Sequence, residues 1–149
     1  MDVLLLTSLL LPIAGALLLG GGRNAARWTA LAVSLAVLGI VVVLAARFPG
    51  DAAPFAETDW NWLQSLNSPI DVRFHIALDG LSIWLFALTA LLAVTAVLVG
   101  WEAIEEQAEL YYRLLLVLET GMLGVFVAQD IILFYVFFEF TLIPLFFLI

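Results

Sequence analysis

The chain has 149 residues, of which 65% are hydrophobic and only 12% are charged. Because ordinary soluble domains are about 45–50% apolar, this composition predicts a membrane protein with several spans rather than a soluble domain. The net charge of −8 argues against nucleic-acid binding and against a polybasic contact with anionic lipid. The absence of cysteine excludes disulfides, thiolate zinc sites and iron–sulfur clusters held by this chain.

Five apolar runs along the chain predict an all-α fold of transmembrane helices. A helix needs about 20 apolar residues to cross about 30 Å of hydrocarbon. The runs occupy residues 3–20, 28–46, 80–101, 111–128 and 130–149. The first run lacks a preceding basic segment and a convincing cleavage site, which favours a retained span over a signal peptide. Because the connection between the last two runs is so short, these runs form a tight antiparallel hairpin.

Two connections carry most of the polar residues. The longer one, residues 48–78, contains three prolines and is expected to be a loop, with Trp60 and Trp62 at the headgroup interface. His75, near its end, has no matching second ligand, which favours a hydrogen-bonded surface residue over a metal ligand. Residues 102–109 are expected to form a short amphipathic helix, and a solvated acidic connector is favoured over an acidic funnel for protons as their role. The arginine distribution favours an external N-terminus by only three against two.

Glu139 is the main candidate site residue, because it lies near the middle of the fifth apolar run. A charged carboxylate at that depth costs about 2.5–3.5 kcal/mol on insertion scales, and such residues are typical of ion or proton pathways. Tyr135, four residues earlier, shares its helix face. Pro144 removes the hydrogen bond to the carbonyl of Phe140, which predicts a kink and free carbonyl oxygens beside Glu139. The alternative is a protonated, purely structural glutamic acid.

Glu119 is a second acid inside an apolar run, and the short connection places it at a depth similar to that of Glu139. Functional and structural interpretations of Glu119 are equally supported by the sequence. Small residues on the same run, Gly121, Gly124 and Ala128, predict a close approach of another helix. Asp79 is expected to cap the third helix. The hydroxyl residues within the runs are expected to bond their own helix backbone; they are Thr7, Ser8, Ser34, Thr89 and Thr95.

Several short motifs in the second half of the chain point to a known family. They are residues 74–82 (FHIALDGLS), 101–105 (WEAIE), 124–126 (GVF), Asp130, 134–139 (FYVFFE) and 142–144 (LIP). Together they resemble the antiporter-like subunit M of bacterial NADH–quinone oxidoreductase (complex I). The resemblance covers residues 74–149, which hold spans three to five and the start of a proton-translocation unit. Residues 1–73, with two spans and an outer loop, match only in layout.

The resemblance implies a polytopic antiporter-like fold of about fourteen helices, of which five spans are present here. It implies that Glu139 is essential for proton pumping and pairs with a lysine on the seventh span, which is not part of this sequence. It also implies that the flavin and iron–sulfur clusters belong to partner subunits, with no cofactor in this chain. The expected partners are other membrane subunits of complex I and the lipid bilayer, in the inner (plasma) membrane.

Two alternatives remain open from the sequence. One is the homologous D-type member of a multisubunit Na+/H+ antiporter, although Pro144 and residues 79–82 favour subunit M. The other is a structural membrane protein in which Glu139 only donates a hydrogen bond between helices. Because the fifth run stops at Ile149 without a polar flank, the chain is also expected to be the start of a longer protein.

Overall fold

The computed structural model describes residues 1–50, 53–61 and 73–149. Its elements are, in order, α1 (Asp2–Leu18), α2 (Arg23–Ala46), β1 (Phe55–Asn61), β2 (Arg73–Leu78), α3 (Ser82–Ala103), α4 (Ala108–Val127) and α5 (Ile131–Leu148). Each helix falls on one of the five predicted apolar runs, which confirms the predicted helical, multi-pass class. Among the described residues, α2 to α5 are long and apolar enough to cross a membrane, whereas α1, with 17 residues, falls short of that length.

Successive helices run in opposite directions, so the bundle has two ends. The two strands lie at one end, which we call the sheet side. At the other end, called the connector side because residues 102–109 lie there, the Arg113 guanidinium donates to the carbonyls of Ala16 and Leu19 at the end of α1. The Gly22 N–H donates to Glu109 at the start of α4. These bonds fix α2 and α4 as parallel helices that both start on the connector side.

The two-stranded antiparallel sheet was not predicted, since residues 48–78 were expected to be a loop. β1 and β2 pair in a register that sets Asp59 opposite His75, with an irregularity between Phe55 and Thr58. β2 is held against the bundle because Gln129 donates to the carbonyls of His75 and Ala77. Tertiary contacts of this kind stabilise strands whose local sequence gives a weak signal. Trp62, predicted at the headgroup interface, lies outside the described residues.

Buried apolar side chains form two separate clusters, one near each end of the bundle. The sheet-side cluster consists of Leu5, Leu9, Val37, Val41, Leu44, Ala56, Ile76, Leu78, Ile83, Phe86, Ala90, Leu123 and Val127. The connector-side cluster consists of Ala16, Leu19, Ala26, Ala30, Val97, Ala108, Tyr112, Leu115 and Leu116. On α2 and α4, the residues between these two clusters include polar side chains, which become important below.

Two glycines allow α4 and α5 to pack closely, as the sequence predicted. A Cβ atom added to Gly121 would lie 2.6 Å from Cγ2 of Thr141, and one added to Gly124 would overlap the ring of Phe137. Glycine therefore provides the space for these two α5 side chains. Ala128 lies just past α4 and forms a β-bridge with Ile76 instead of a helix contact.

The connections correct one expectation from the sequence and agree with another. α3 ends at Ala103 and α4 starts at Ala108, so the expected short amphipathic helix over residues 102–109 is wrong and a non-helical connector joins the two helices. Asp79 caps α3 as predicted, because its Oδ1 accepts the N–H groups of Leu81 and Ser82 at 3.0 and 2.6 Å. The backbone hydrogen bond from Ser82 lowers the pKa of the Asp79 carboxyl from its ordinary value.

Candidate functional site

Glu139 lies near the middle of α5, the helix least covered by the rest of the chain. Asp130 fixes the start of this helix by accepting the N–H of Ile132 at 2.9 Å. The face that contacts α4 carries Phe137 and Thr141, and Pro144 is the one buried residue that the structure gives for α5. Glu139 lies on the opposite face and is exposed. The carboxyl therefore faces outward from the described part of the chain.

Glu139 shares this outward face with large apolar and aromatic side chains. Tyr135 is 60% exposed and Phe146 is 77% exposed, and their spacing from Glu139 places all three on one stripe of the helix. A surface groove of about 370 Å³ is lined by Glu139, Leu142, Ile143, Phe146 and Phe147. In a membrane such a stripe faces either lipid or another protein surface, and a carboxyl group favours the second environment.

Tyr135 precedes Glu139 by one helical turn, and the two side chains lie on the same face of α5. The Tyr135 hydroxyl and the Glu139 carboxyl group lie near enough for an electrostatic interaction on one helix face. Their pairing as a functional unit stays a prediction. The pair offers one hydroxyl and one carboxyl to any group that packs over this face.

Pro144 does not end α5, which remains helical to Leu148. Because proline has no N–H, the carbonyl of Phe140 lacks its usual helical donor. Phe140 follows Glu139 directly, so this free acceptor lies close to the carboxyl group in the chain. The predicted kink at this point stays a prediction.

Glu119 lies in a different environment, inside the bundle. Its side chain is only 1% exposed, and its Oε2 accepts a hydrogen bond from Ser34 Oγ at 2.9 Å. Its Oε1 has no hydrogen-bonding partner among the described residues. The sequence prediction that Ser34 bonds its own helix backbone is therefore wrong, because its hydroxyl donates across the helix interface to Glu119 on α4 instead. The other four predicted hydroxyls do bond carbonyls of their own helix, namely those of Thr7, Ser8, Thr89 and Thr95.

The two acids lie at the same depth but are not brought together. Glu119 is eight residues before the end of α4, and Glu139 is eight residues after the start of α5. At 1.5 Å per residue, each lies about 12 Å from the sheet-side end of its helix. Glu119 points toward Ser34 on α2, whereas Glu139 faces away from the bundle. The structure thus contains two separate candidate sites.

Several polar residues have contacts that sequence reasoning either anticipated or missed. His75 Nε2 lies 2.7 Å from Glu57 Oε1, which confirms the expectation of a hydrogen-bonded surface histidine. In the part of the chain that the structure describes, no group of three metal-ligating side chains occurs. Arg27 is buried, with its guanidinium 5.7 Å from the ring of Trp101. No contact of Arg27 or Arg113 was predicted from the sequence, although a basic residue in the first turns of an apolar helix was an available signal.

Comparisons with known proteins give consistent similarities over most of the chain. It is 34% identical over 148 residues to NADH-ubiquinone oxidoreductase chain 4 of Mycosarcoma maydis, covering 95% of this chain and 30% of that protein. It is 34% identical over 131 residues to NADH-quinone oxidoreductase subunit M of Pseudomonas aeruginosa, covering 83% and 25%. It is 38% identical over 94 residues to subunit M of Escherichia coli, covering 63% and 18%. The chain thus spans less than a third of the length of each relative.

A solved structure gives the same fold. A chain of the membrane-bound sulfane sulfur reductase, an archaeal respiratory membrane complex, matches 97% of this chain with a TM-score of 0.70 at 21% identity, and 22% of that chain is covered. No protein-family model matches the sequence. The sequence similarities confirm the resemblance to subunit M, and the structural similarity confirms the arrangement of the helices.

Proposed function

We propose that this chain provides five helices of a proton-translocating membrane subunit of NADH–quinone oxidoreductase, in which Glu139 binds and releases a proton. The similarity to subunit M of two bacteria supports this assignment over the Na+/H+ antiporter component that the sequence left open. The chain is a multi-pass membrane protein, and we assign it to the inner (plasma) membrane of a bacterial cell. Its partners in this proposal are the other membrane subunits of the complex.

The position of Glu139 carries the proposal. A carboxyl group halfway along α5 faces away from the bundle, beside the Tyr135 hydroxyl and close to the carbonyl of Phe140. Lipid cannot hydrogen-bond to these groups, so the face needs a covering of protein or protein-bound water. The chain contains no lysine. A cation that pairs with Glu139 must therefore be one of the arginines of this chain or belong to another part of the protein. The resemblance to subunit M implies the second, a lysine on the seventh span.

Such a pairing gives a simple mechanism for moving a proton. When a cation lies near Glu139, the ionised carboxylate is stabilised and its proton leaves. When the cation moves away, desolvation favours the protonated acid, and a proton is taken up again. Tyr135 stabilises the carboxylate as a donor but carries no charge, so it positions the site without setting its occupancy.

In this proposal, electron transfer takes place in other subunits of the complex. Iron–sulfur clusters are held mainly by cysteine thiolates, and the chain has no cysteine, so its residues do not fit such a cluster. We assign the flavin and the iron–sulfur clusters to partner subunits. The contribution of this chain is then translocation alone, coupled to a redox reaction in another part of the complex.

The test uses the intact subunit in its complex, reconstituted into vesicles. Glu139→Gln keeps the size of the side chain but cannot release a proton, so NADH-driven acidification of the vesicles should be lost. Glu139→Asp should retain part of it. Glu105→Gln, an exposed acid on the connector side, is the matched control and should pump normally. Normal pumping by a correctly assembled Glu139→Gln complex would reject the proposal in favour of a structural hydrogen bond.

A further inference from the structure

The Glu119 carboxyl group is buried, and the described residues leave half of it unsatisfied. Oε2 accepts one hydrogen bond, from the neutral hydroxyl of Ser34, and Oε1 has no described partner. An ionised carboxylate normally accepts several hydrogen bonds or pairs with a cation when it is removed from water. One neutral donor is too little for an ion at this depth.

No charged group among the described residues compensates for it. Four helices pack against α4, namely α1, α2, α3 and α5. The titratable side chains that the structure describes on these five helices are Asp2, Arg23, Arg27, Glu102, Glu109, Tyr111, Tyr112, Arg113, Tyr135 and Glu139. None of them interacts with the Glu119 carboxyl group, whose one polar partner is Ser34. An ionised Glu119 would be a poorly compensated buried charge, so this environment favours the protonated acid.

Two further buried polar side chains lie on the connector side of the Glu119–Ser34 pair. Tyr112 precedes Glu119 by seven residues on the same face of α4, and its buried hydroxyl has no partner among the described residues. Arg27 precedes Ser34 by seven residues on α2 and is also buried. Its Nε likewise has no hydrogen-bonding partner among the described residues. Because α2 and α4 are parallel, Tyr112 and Arg27 both lie two turns from the Glu119–Ser34 pair in the direction of the connector side.

The sheet-side half of this interface is different. One and two turns beyond Ser34, α2 carries Val37 and Val41, and beyond Glu119 α4 carries Leu123 and Val127; all four are fully buried. They belong to the sheet-side apolar cluster. On the connector side, one apolar turn with Ala30 and Leu116 separates Glu119 and Ser34 from the polar groups of Tyr112 and Arg27. On the sheet side, two apolar turns follow without a polar group, so the connector side is the shorter apolar path for a proton.

We propose that Glu119 and Ser34 form a second proton-binding site, separate from Glu139 and exchanging protons with the connector side by way of Tyr112. Loading transfers a proton from a hydronium ion to the carboxylate and leaves one water molecule, so charge and atoms balance. Ser34 stabilises the acid by donating to Oε2, and Tyr112 is a positioning residue along the route. The site does not depend on the role of Glu139, which faces the other way.

Infrared spectroscopy of the intact complex in lipid tests the site directly. The carboxylic acid carbonyl band of Glu119 should be absent from Glu119→Gln and present in Glu139→Gln, the matched control for a second intramembrane acid. Transfer into D2O should shift this band, and Tyr112→Phe should slow the shift. A band that is unchanged in Glu119→Gln, or one that does not exchange in D2O, would overturn the proposal and leave a structural acid.

A second measurement needs no substitution of Glu119. The chain has no cysteine, so Ser34→Cys and Val37→Cys each place a single thiol on the same face of α2. Both positions are 0% exposed in the structure. A difference in their reaction rates with a thiol reagent therefore reports access along the α2–α4 interface and not exposure at the surface. Mass analysis of the modified chain should show Ser34→Cys reacting about tenfold faster or more from the connector side, because the reaction requires a hydrated thiolate. Equal protection of the two thiols would overturn the route.

Discussion

Gly124 is the position where one added methyl group should disturb the candidate site most. A Cβ atom there would overlap the ring of Phe137, which lies two residues before Glu139 on α5. Forcing an extra methyl group into a packed contact costs about 1–3 kcal/mol. That cost raises the unfolded fraction about 5- to 150-fold, at about 1.4 kcal/mol per factor of ten. We therefore expect Gly124→Ala to destabilise the subunit and to displace α5 together with its carboxyl group.

Gly39 provides the matched control for this experiment. It also lies within a membrane-spanning helix, α2, but a Cβ atom there would meet nothing within 4 Å. Gly39→Ala should be neutral or stabilising by about 0.5–1 kcal/mol, because alanine restricts the unfolded chain. Detergent-induced unfolding of the two variants measures the difference. If Gly124→Ala were as stable as Gly39→Ala, the close packing of α4 on α5 would be refuted.

Three further predictions concern single contacts. Ser34→Ala leaves Glu119 without its donor and should lower stability by about 1–3 kcal/mol in unfolding experiments; an unchanged midpoint would show that the bond contributes nothing. Asp79→Ala removes the α3 cap and should cost about 1 kcal/mol. Because the backbone N–H of Ser82 lowers the pKa of Asp79 below 3.8, that contribution is complete above pH 3.8 and is lost as pH falls through the folded pKa; a cost of the substitution that rises on acidification would contradict it. Arg113→Ala frees the last carbonyls of α1 and should cost about 1.5–3 kcal/mol, with Arg113→Lys intermediate; equal stability of the two variants would argue against the paired hydrogen bonds.

The positions of the helices were predictable from the sequence because membrane spans need only length and hydrophobicity. Every apolar run became a helix, and the short connection between α4 and α5 was enough to place Glu119 and Glu139 at one depth. The i, i+4 spacing of Tyr135 and Glu139 likewise predicts their interaction within one helix. These features depend on local geometry, which the sequence specifies directly.

The rotation of each helix about its axis was not predictable, and it decides which polar groups meet. Ser34 and Glu119 are 85 residues apart, and nothing local indicates that their helices turn these faces toward each other. The same holds for Arg113, which satisfies carbonyls of α1 almost 100 residues away. The strands were missed because β1 carries acidic residues and gains its pairing partner only from β2.

The most direct test of the central claim is the number of protons translocated per NADH oxidised by the purified, reconstituted complex. The measurement compares wild type with Glu139→Gln in the full-length subunit, at matched amounts of assembled complex. If Glu139 binds and releases a proton in each cycle, the variant should translocate fewer protons per NADH or should stop turning over. A wild-type ratio at a wild-type rate of NADH oxidation would contradict a proton-binding role for Glu139.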